Sequence, residues 1–171
     1  MIGIDVPAAA RPSARRGLPQ GQPVLCSELT RTFEILLVED NAGDVRLTRE
    51  ALRDAAVPLN LSVVGDGLEA LAYLRRSGRH SAAARPNLIL LDVNLPRKDG
   101  WDVLAEIKHD ADLRPIPVVV LTTSQSLSDV QRSYQLQANA FVSKPGTLDE
   151  FLEAVRRIGR FWLETASLPH G

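Results

Sequence analysis

A chain of 171 residues, 44% hydrophobic and 24% charged, has the composition of an ordinary globular protein, long enough for one domain with some chain to spare. Its 20 basic and 21 acidic residues leave a formal net charge of −1, which offers no basic surface to nucleic acid or to a membrane. No apolar stretch approaches the ~20 residues of a membrane helix, and the single cysteine, Cys26, cannot close an internal disulfide, in keeping with a reducing, cytoplasmic setting.

Residues 1–32 hold Pro7, Pro12, Pro19 and Pro23, several arginines and no sustained periodicity. Such a segment cannot bury enough apolar surface to offset its ordering entropy, and it is expected to be a disordered extension. It also lacks the apolar core of a secretory signal. From Phe33 the pattern changes to alternating strand and helix. FEILLV (33–38) predicts a first strand. DVRLTREALRDAA (44–56) predicts a helix with apolar residues at three- and four-residue spacings and Asn41 able to cap its start. LNLSVV (59–64) reads as a second strand, and Asp66-Gly-Leu-Glu69 as a capping box opening a helix that runs to about Ser77. SGRHSAAARP is a loop. NLILLD (87–92), apolar at nearly every position, suits a central strand covered on both faces. A third helix is expected from Gly100-Trp101 to about His109, a strand over IPVVVLT (116–122), a helix from Ser128 to Gln137, and a short strand at AFV (140–142). Thr147-Leu-Asp-Glu150 is a second capping box, opening a last helix to about Glu164. Regular alternation, βα five times, argues for an α/β domain with a doubly wound five-stranded parallel sheet.

In such a sheet the carboxyl ends of the strands share one edge, where ligands bind. Glu39 and Asp40 follow the first strand, Asp92 ends the third, Thr122 ends the fourth, and Lys144 follows the fifth. The acids would repel one another if left alone: two charges ~4 Å apart cost about 4 kcal/mol at an effective dielectric of 20. All-oxygen ligands favour Mg2+ or Mn2+. Asp40 and Asp92 are the direct ligands expected, with the carbonyl of Asn94 as a further oxygen and Glu39 acting through a water. Asp92 is the candidate nucleophile, since a carboxylate can attack phosphorus to form an acyl phosphate. Thr122 can donate to one phosphoryl oxygen and Lys144 pair with another. A cis Lys144–Pro145 bond, inexpensive before proline, is one way to turn the ammonium into the cup.

These residues, in the motifs LLVED, LILLDVNLP-x-x-DG, VVVLTTS, ANAF and SKP, resemble the receiver (response regulator) domain of bacterial two-component signalling over about residues 33–160. The resemblance implies a flavodoxin-like receiver fold, with Glu39 and Asp40 as the acidic pair, Asp92 as phosphoacceptor, Thr122 as switch hydroxyl, Lys144 as the family's lysine and Phe141 as its aromatic switch. Asn94 and Ser124 fall where the family varies and sets phosphoryl lifetime. VEDNAGDVRLTREAL, RPNLILLDVNLPRKDGWDVL and the ending RFWLETASLP resemble single-domain regulators serving phytochrome-type sensor kinases. What this implies is Mg2+-dependent phosphorylation from a histidine kinase or a histidine phosphotransfer protein, no catalysis beyond the protein's own phosphoryl transfer and dephosphorylation, and an output surface on helix 4, strand 5 and helix 5. Phe161, Trp162 and Leu163 (in the 161–171 extension of the last helix) cannot all face one core, and they point to a homodimer built on this tail.

Other readings fit less well. An Asp-nucleophile phosphatase of the haloacid dehalogenase type needs a second aspartate two residues on, where this chain has Asn94. A pseudo-receiver acting as a binding module is usually announced by loss of a key residue, and none is lost. A nucleotide-binding domain would need a glycine-rich loop after the first strand, where this chain is acidic. A DNA-binding output domain is not expected in the few residues after the last helix.

Overall fold

The computed structural model describes residues 32–168, so the expectations for the N-terminal extension and Cys26 lie outside the described residues. Five strands form one parallel sheet in the order β2-β1-β3-β4-β5: β1 (Phe33–Val38), β2 (Leu59–Val64), β3 (Leu88–Leu91), β4 (Val118–Thr122) and β5 (Ala140–Ser143). Between and after them run α1 (Ala42–Leu52), α2 (Gly67–Leu74), α3 (Gly100–His109), α4 (Leu127–Gln135) and α5 (Leu148–Gly159). This is the doubly wound α/β sheet expected from the alternation.

The strands are apolar at successive positions because both faces are covered. Ile35, Leu37, Leu88, Leu90, Val119 and Leu121 face one way and pack with Ala51 and Leu52 of α1 and Phe151, Val155 and Ile158 of α5. Their neighbours Leu36, Val38, Ile89, Leu91, Val118 and Val120 face the other way, against Leu71 and Leu74 of α2 and Val103, Leu104 and Ile107 of α3. The period of two along each strand thus splits one apolar run between two cores. Helix α4 is the least embedded, with only Ser133 buried and with Leu127 and Tyr134 exposed.

Helix ends depart from expectation for identifiable reasons. Helix α1 stops at Leu52 rather than Ala56: the chain tightens into three-residue turns, with the Arg53 N–H donating to Glu50 O at 3.3 Å and the Ala55 N–H to Leu52 O at 3.2 Å, before it enters β2. Helices α2 and α4 each stop two or three residues early, where Arg76 (φ 51°) and Gln137 (φ 62°) take the left-handed conformation. The Ser77 N–H then reaches back to Ala72 O at 2.9 Å and the Ala138 N–H to Ser133 O at 2.9 Å, the six-to-one bond of a Schellman cap. Part of the predicted loop after α2, Gly78–His80, forms a 3-10 turn. Asp66 caps α2 through the Glu69 N–H, but Glu69 pairs with Arg79 and His80 instead of closing the box.

The last helix tightens into an ordinary α-helix only to Gly159 and then widens into a π-helical turn over Arg160–Thr165. The Ala166 N–H donates to Phe161 O, five residues back, at 2.8 Å. Trp162 and Leu163 are half-buried against the α1/α5 core, while Phe161 is 53% exposed with its ring edge-on to Trp162. Two of the three tail residues therefore fold onto their own domain.

Candidate functional site

The strand order reverses direction between β1 and β3, the switch point at which doubly wound sheets form a crevice. Parallel register carries the expected residues to that edge. The Asp92 N–H donates to Val38 O at 3.0 Å, the Glu39 N–H to Val64 O at 2.9 Å and the Lys144 N–H to Thr122 O at 2.7 Å. Asp92, Glu39, Thr122 and Lys144 are all buried.

At the centre lies the Lys144 ammonium. Its Nζ donates to Glu39 Oε2 at 2.5 Å, Asp92 Oδ2 at 2.6 Å and Asp44 Oδ2 at 2.8 Å. Burial pulls this ammonium down, but the carboxylates of Asp44, Asp92 and Glu39 outweigh it and hold the group above the usual lysine value. Glu39 goes the other way: burial pushes its carboxyl above the usual range, and the pull of Lys144 and the Asn41 N–H does not cancel that. Lys144 reaches this position with no cis peptide bond anywhere among the described residues, which corrects the expectation for Lys144–Pro145. Strand β5 already delivers the lysine to the carboxyl edge, so no reversal of the chain is needed.

The remaining oxygens are oriented from the backbone. The Asn94 N–H donates to Asp92 Oδ1 at 3.0 Å, and the Asn41 N–H to Glu39 Oε1 at 3.0 Å. The Asn94 amide donates to Thr122 Oγ1 at 3.2 Å, linking the loop after β3 to the end of β4. The same Thr122 oxygen accepts the Ser124 N–H at 3.4 Å, and Ser124 Oγ donates to Asp129 Oδ2 at 2.5 Å at the start of α4. A hydrogen-bonded path therefore runs from beside Asp92 to α4. Gly100 holds the loop after β3 close: a Cβ there would collide with the backbone of Asp92 and Val93.

Asp40 is exposed, outside the lysine's contacts. Phe141 is half-buried against the α2/α3 core. Asp44, in the first turn of α1, escaped the sequence reading. The only signal was an acid in a first helical turn, which already has a sufficient reason in the helix dipole. Among the described residues no three His, Cys, Asp or Glu side chains form a ready metal cage, and the cation among these carboxylates is the lysine's own ammonium. The donor set nevertheless fits a hard divalent cation: it is all oxygen, clustered at one edge, and carries more negative charge than one lysine can balance.

Comparison with known proteins identifies the family and the fold. The family model described as the response regulator receiver domain matches residues 35–156. The chain is 50% identical over 135 residues to the response regulator Rcp1 of Synechocystis sp., covering 79% of this chain and 92% of that one. The crystal structure of a phosphorylated cyanobacterial phytochrome response regulator, RcpA, superposes with a TM-score of 0.80 at 50% identity, covering 82% of this chain and all of that one. The Mn2+-bound form of Rcp1 superposes with a TM-score of 0.79 at 48% identity, covering 81% and 99%.

Proposed function

The chain belongs to the response regulator receiver family, and from that premise we propose that it is a phosphoryl-operated switch in a two-component pathway, with Asp92 the residue phosphorylated. The observation that carries this reading is the buried Asp92 carboxylate held against Lys144 at 2.6 Å at the sheet's switch point. A carboxylate oxygen of Asp92 forms the new bond to phosphorus while the bond from phosphorus to a donor histidine nitrogen breaks and its electron pair stays on nitrogen. The phosphoryl group brings about −1.5 to −2 charge to a place that is already acidic. Lys144 then pairs with a phosphoryl oxygen, and the Thr122 hydroxyl donates to another. Asp40, Asp92 and the Asn94 carbonyl, with Glu39 beside them, would hold a divalent cation, Mg2+ or Mn2+, which would supply the charge neutralisation that phosphoryl transfer requires. The Mn2+-bound form of Rcp1 supports that choice.

The output follows from the path out of the site. When Thr122 leaves the Asn94 amide for the phosphoryl group, its bond to the Ser124 N–H is disturbed, and Ser124 bears directly on α4. Helix α4 is weakly embedded, so little packing opposes its movement. Phe141 lies on the neighbouring strand and turns inward behind Thr122. The surface of α4, β5 and α5 changes with it. Phe161, with Trp162 and Leu163 behind it, extends that surface beyond α5 as the site of a homodimer. The phosphoryl donor is a sensor histidine kinase of the phytochrome type, or a histidine phosphotransfer protein; the phytochrome regulator RcpA supports the former.

The test is transfer of a radiolabelled phosphoryl group from an autophosphorylated phytochrome-type kinase to the purified protein. Label should move to the wild type within minutes and not to Asp92→Asn. Undiminished label on Asp92→Asn would refute the assignment.

A further inference from the structure

Asp44 has no part in the roles set out above. It stands on a helix rather than at a strand end, yet its carboxylate meets Lys144 across 100 residues of sequence at 2.8 Å. Resting on the receiver reading, we propose that Asp44 is a positioning residue that keeps hold of Lys144 when Glu39 and Asp92 release it, and so eases entry of a divalent cation into the cup.

An ammonium has three N–H donors. Here it finds three carboxylates, and two of them belong to the group that a divalent cation must also use. Lys144 and a divalent cation therefore compete for Glu39 and Asp92. A buried lysine that loses both would be left with an uncompensated charge, which is strongly unfavourable. Asp44 is built to prevent this. Its side chain is 25% exposed, against 2% for Glu39 and 7% for Asp92. Glu39 and Asp92 are each pinned by a backbone N–H, from Asn41 and Asn94, whereas Asp44 projects from the first turn of α1. Asp44 can thus follow the lysine toward solvent while the other two stay in place. Lys144 keeps one ion pair throughout and passes from Asp44 to the phosphoryl oxygen when that arrives.

Mg2+ titration of the full-length protein by calorimetry tests this. Asp44→Asn should raise the Mg2+ dissociation constant about 3- to 10-fold, the size of one partly exposed charged hydrogen bond. Asp44→Glu should stay within about twofold of the wild type, and Glu50→Gln, an exposed acid on the same helix, should have no effect. The loss must act through the lysine. In a Lys144→Met background, adding Asp44→Asn should therefore change Mg2+ binding by less than about twofold, a coupling that a double-mutant cycle reads directly. Equal weakening in both backgrounds would overturn the proposal, since Asp44 would then act on the cation by its charge alone. Unchanged or tighter binding in Asp44→Asn would overturn it also. A wild type that binds no Mg2+ would overturn the receiver reading along with it.

Discussion

Removing the lysine ammonium should convert the site from a neutralised cluster into a repulsive one. In Lys144→Met, Glu39 and Asp92 remain buried and Asp44 partly so, with no cation among them. Breaking a buried ion pair from one side costs about 3–5 kcal/mol. The crevice opens on solvent and Glu39 can take up a proton, so a loss of about 3 kcal/mol is expected near neutral pH. For a domain of this size that is roughly 6–12 °C in Tm. Urea and thermal melts in EDTA at pH 7.5 would measure it. The pH dependence gives a sharper check. A raised Glu39 pKa means that stability from its protonated form is present below the unfolded value of 4.5 and is lost as pH rises through the folded one. Without Lys144 the folded value rises further, so the deficit of the variant should shrink as pH falls from 7.5 toward 5. The contribution of Lys144 itself, whose folded pKa is raised, is fully present below 10.5 and is unaffected in that range. Saturating Mg2+ should recover much of the loss. A variant as stable as wild type in EDTA, or one whose deficit grows on acidification, would refute the electrostatic account of the cup.

Lys108 supplies a second test at the opposite edge of the sheet. It is buried, and its Nζ donates to Arg114 O, Ile116 O and Asn139 Oδ1 at 3.3, 2.8 and 3.1 Å, with no carboxylate among these partners. Burial pushes its pKa down to about 8. A depressed lysine means that the unfolded chain binds more protons between about 8 and 10.5, so stability should rise with pH across that window. In urea melts Lys108→Met should lack this rise, by up to about 3 kcal/mol relative to wild type. Gly100→Ala should cost about 2–3 kcal/mol, because its Cβ meets backbone rather than a movable side chain, and should slow phosphorylation of Asp92 by displacing the loop that orients it. Phe141→Ala should leave phosphorylation intact while making partner binding insensitive to it; binding that still responds fully to phosphorylation would separate Phe141 from the switch.

Legibility in the sequence followed from how local each cause was. FEILLV and LNLSVV were readable to the residue as β1 and β2, because an apolar run ended by an acid or glycine can be little else in a βα alternation. The ends of α2 and α4 were not. A glycine would have announced the left-handed cap, but Arg76 and Gln137 take that conformation at a steric cost that only the packed structure justifies. The convergence of Glu39, Asp92, Thr122 and Lys144 was legible because topology alone brings strand ends together. Asp44 was hidden because its partner lies just past the end of β5 and only the folded register reveals it. Lys108 was hidden likewise: a lysine in the last turn of a helix ordinarily faces water, and the carbonyls that receive it come from the following loop. The tail was half legible. Three consecutive bulky residues could not share one core, and the π-helical turn resolves this by turning Trp162 and Leu163 inward and Phe161 outward.

The most direct test of the central claim is intact-mass spectrometry after incubation with a small-molecule phosphodonor, with Mg2+ and with EDTA, beside Asp92→Asn. One phosphoryl addition that requires the divalent cation, is lost in mild base as an acyl phosphate must be, and vanishes in Asp92→Asn is the predicted result. A folded, Mg2+-binding protein that gains no phosphoryl group, or gains it equally in Asp92→Asn, would contradict the account.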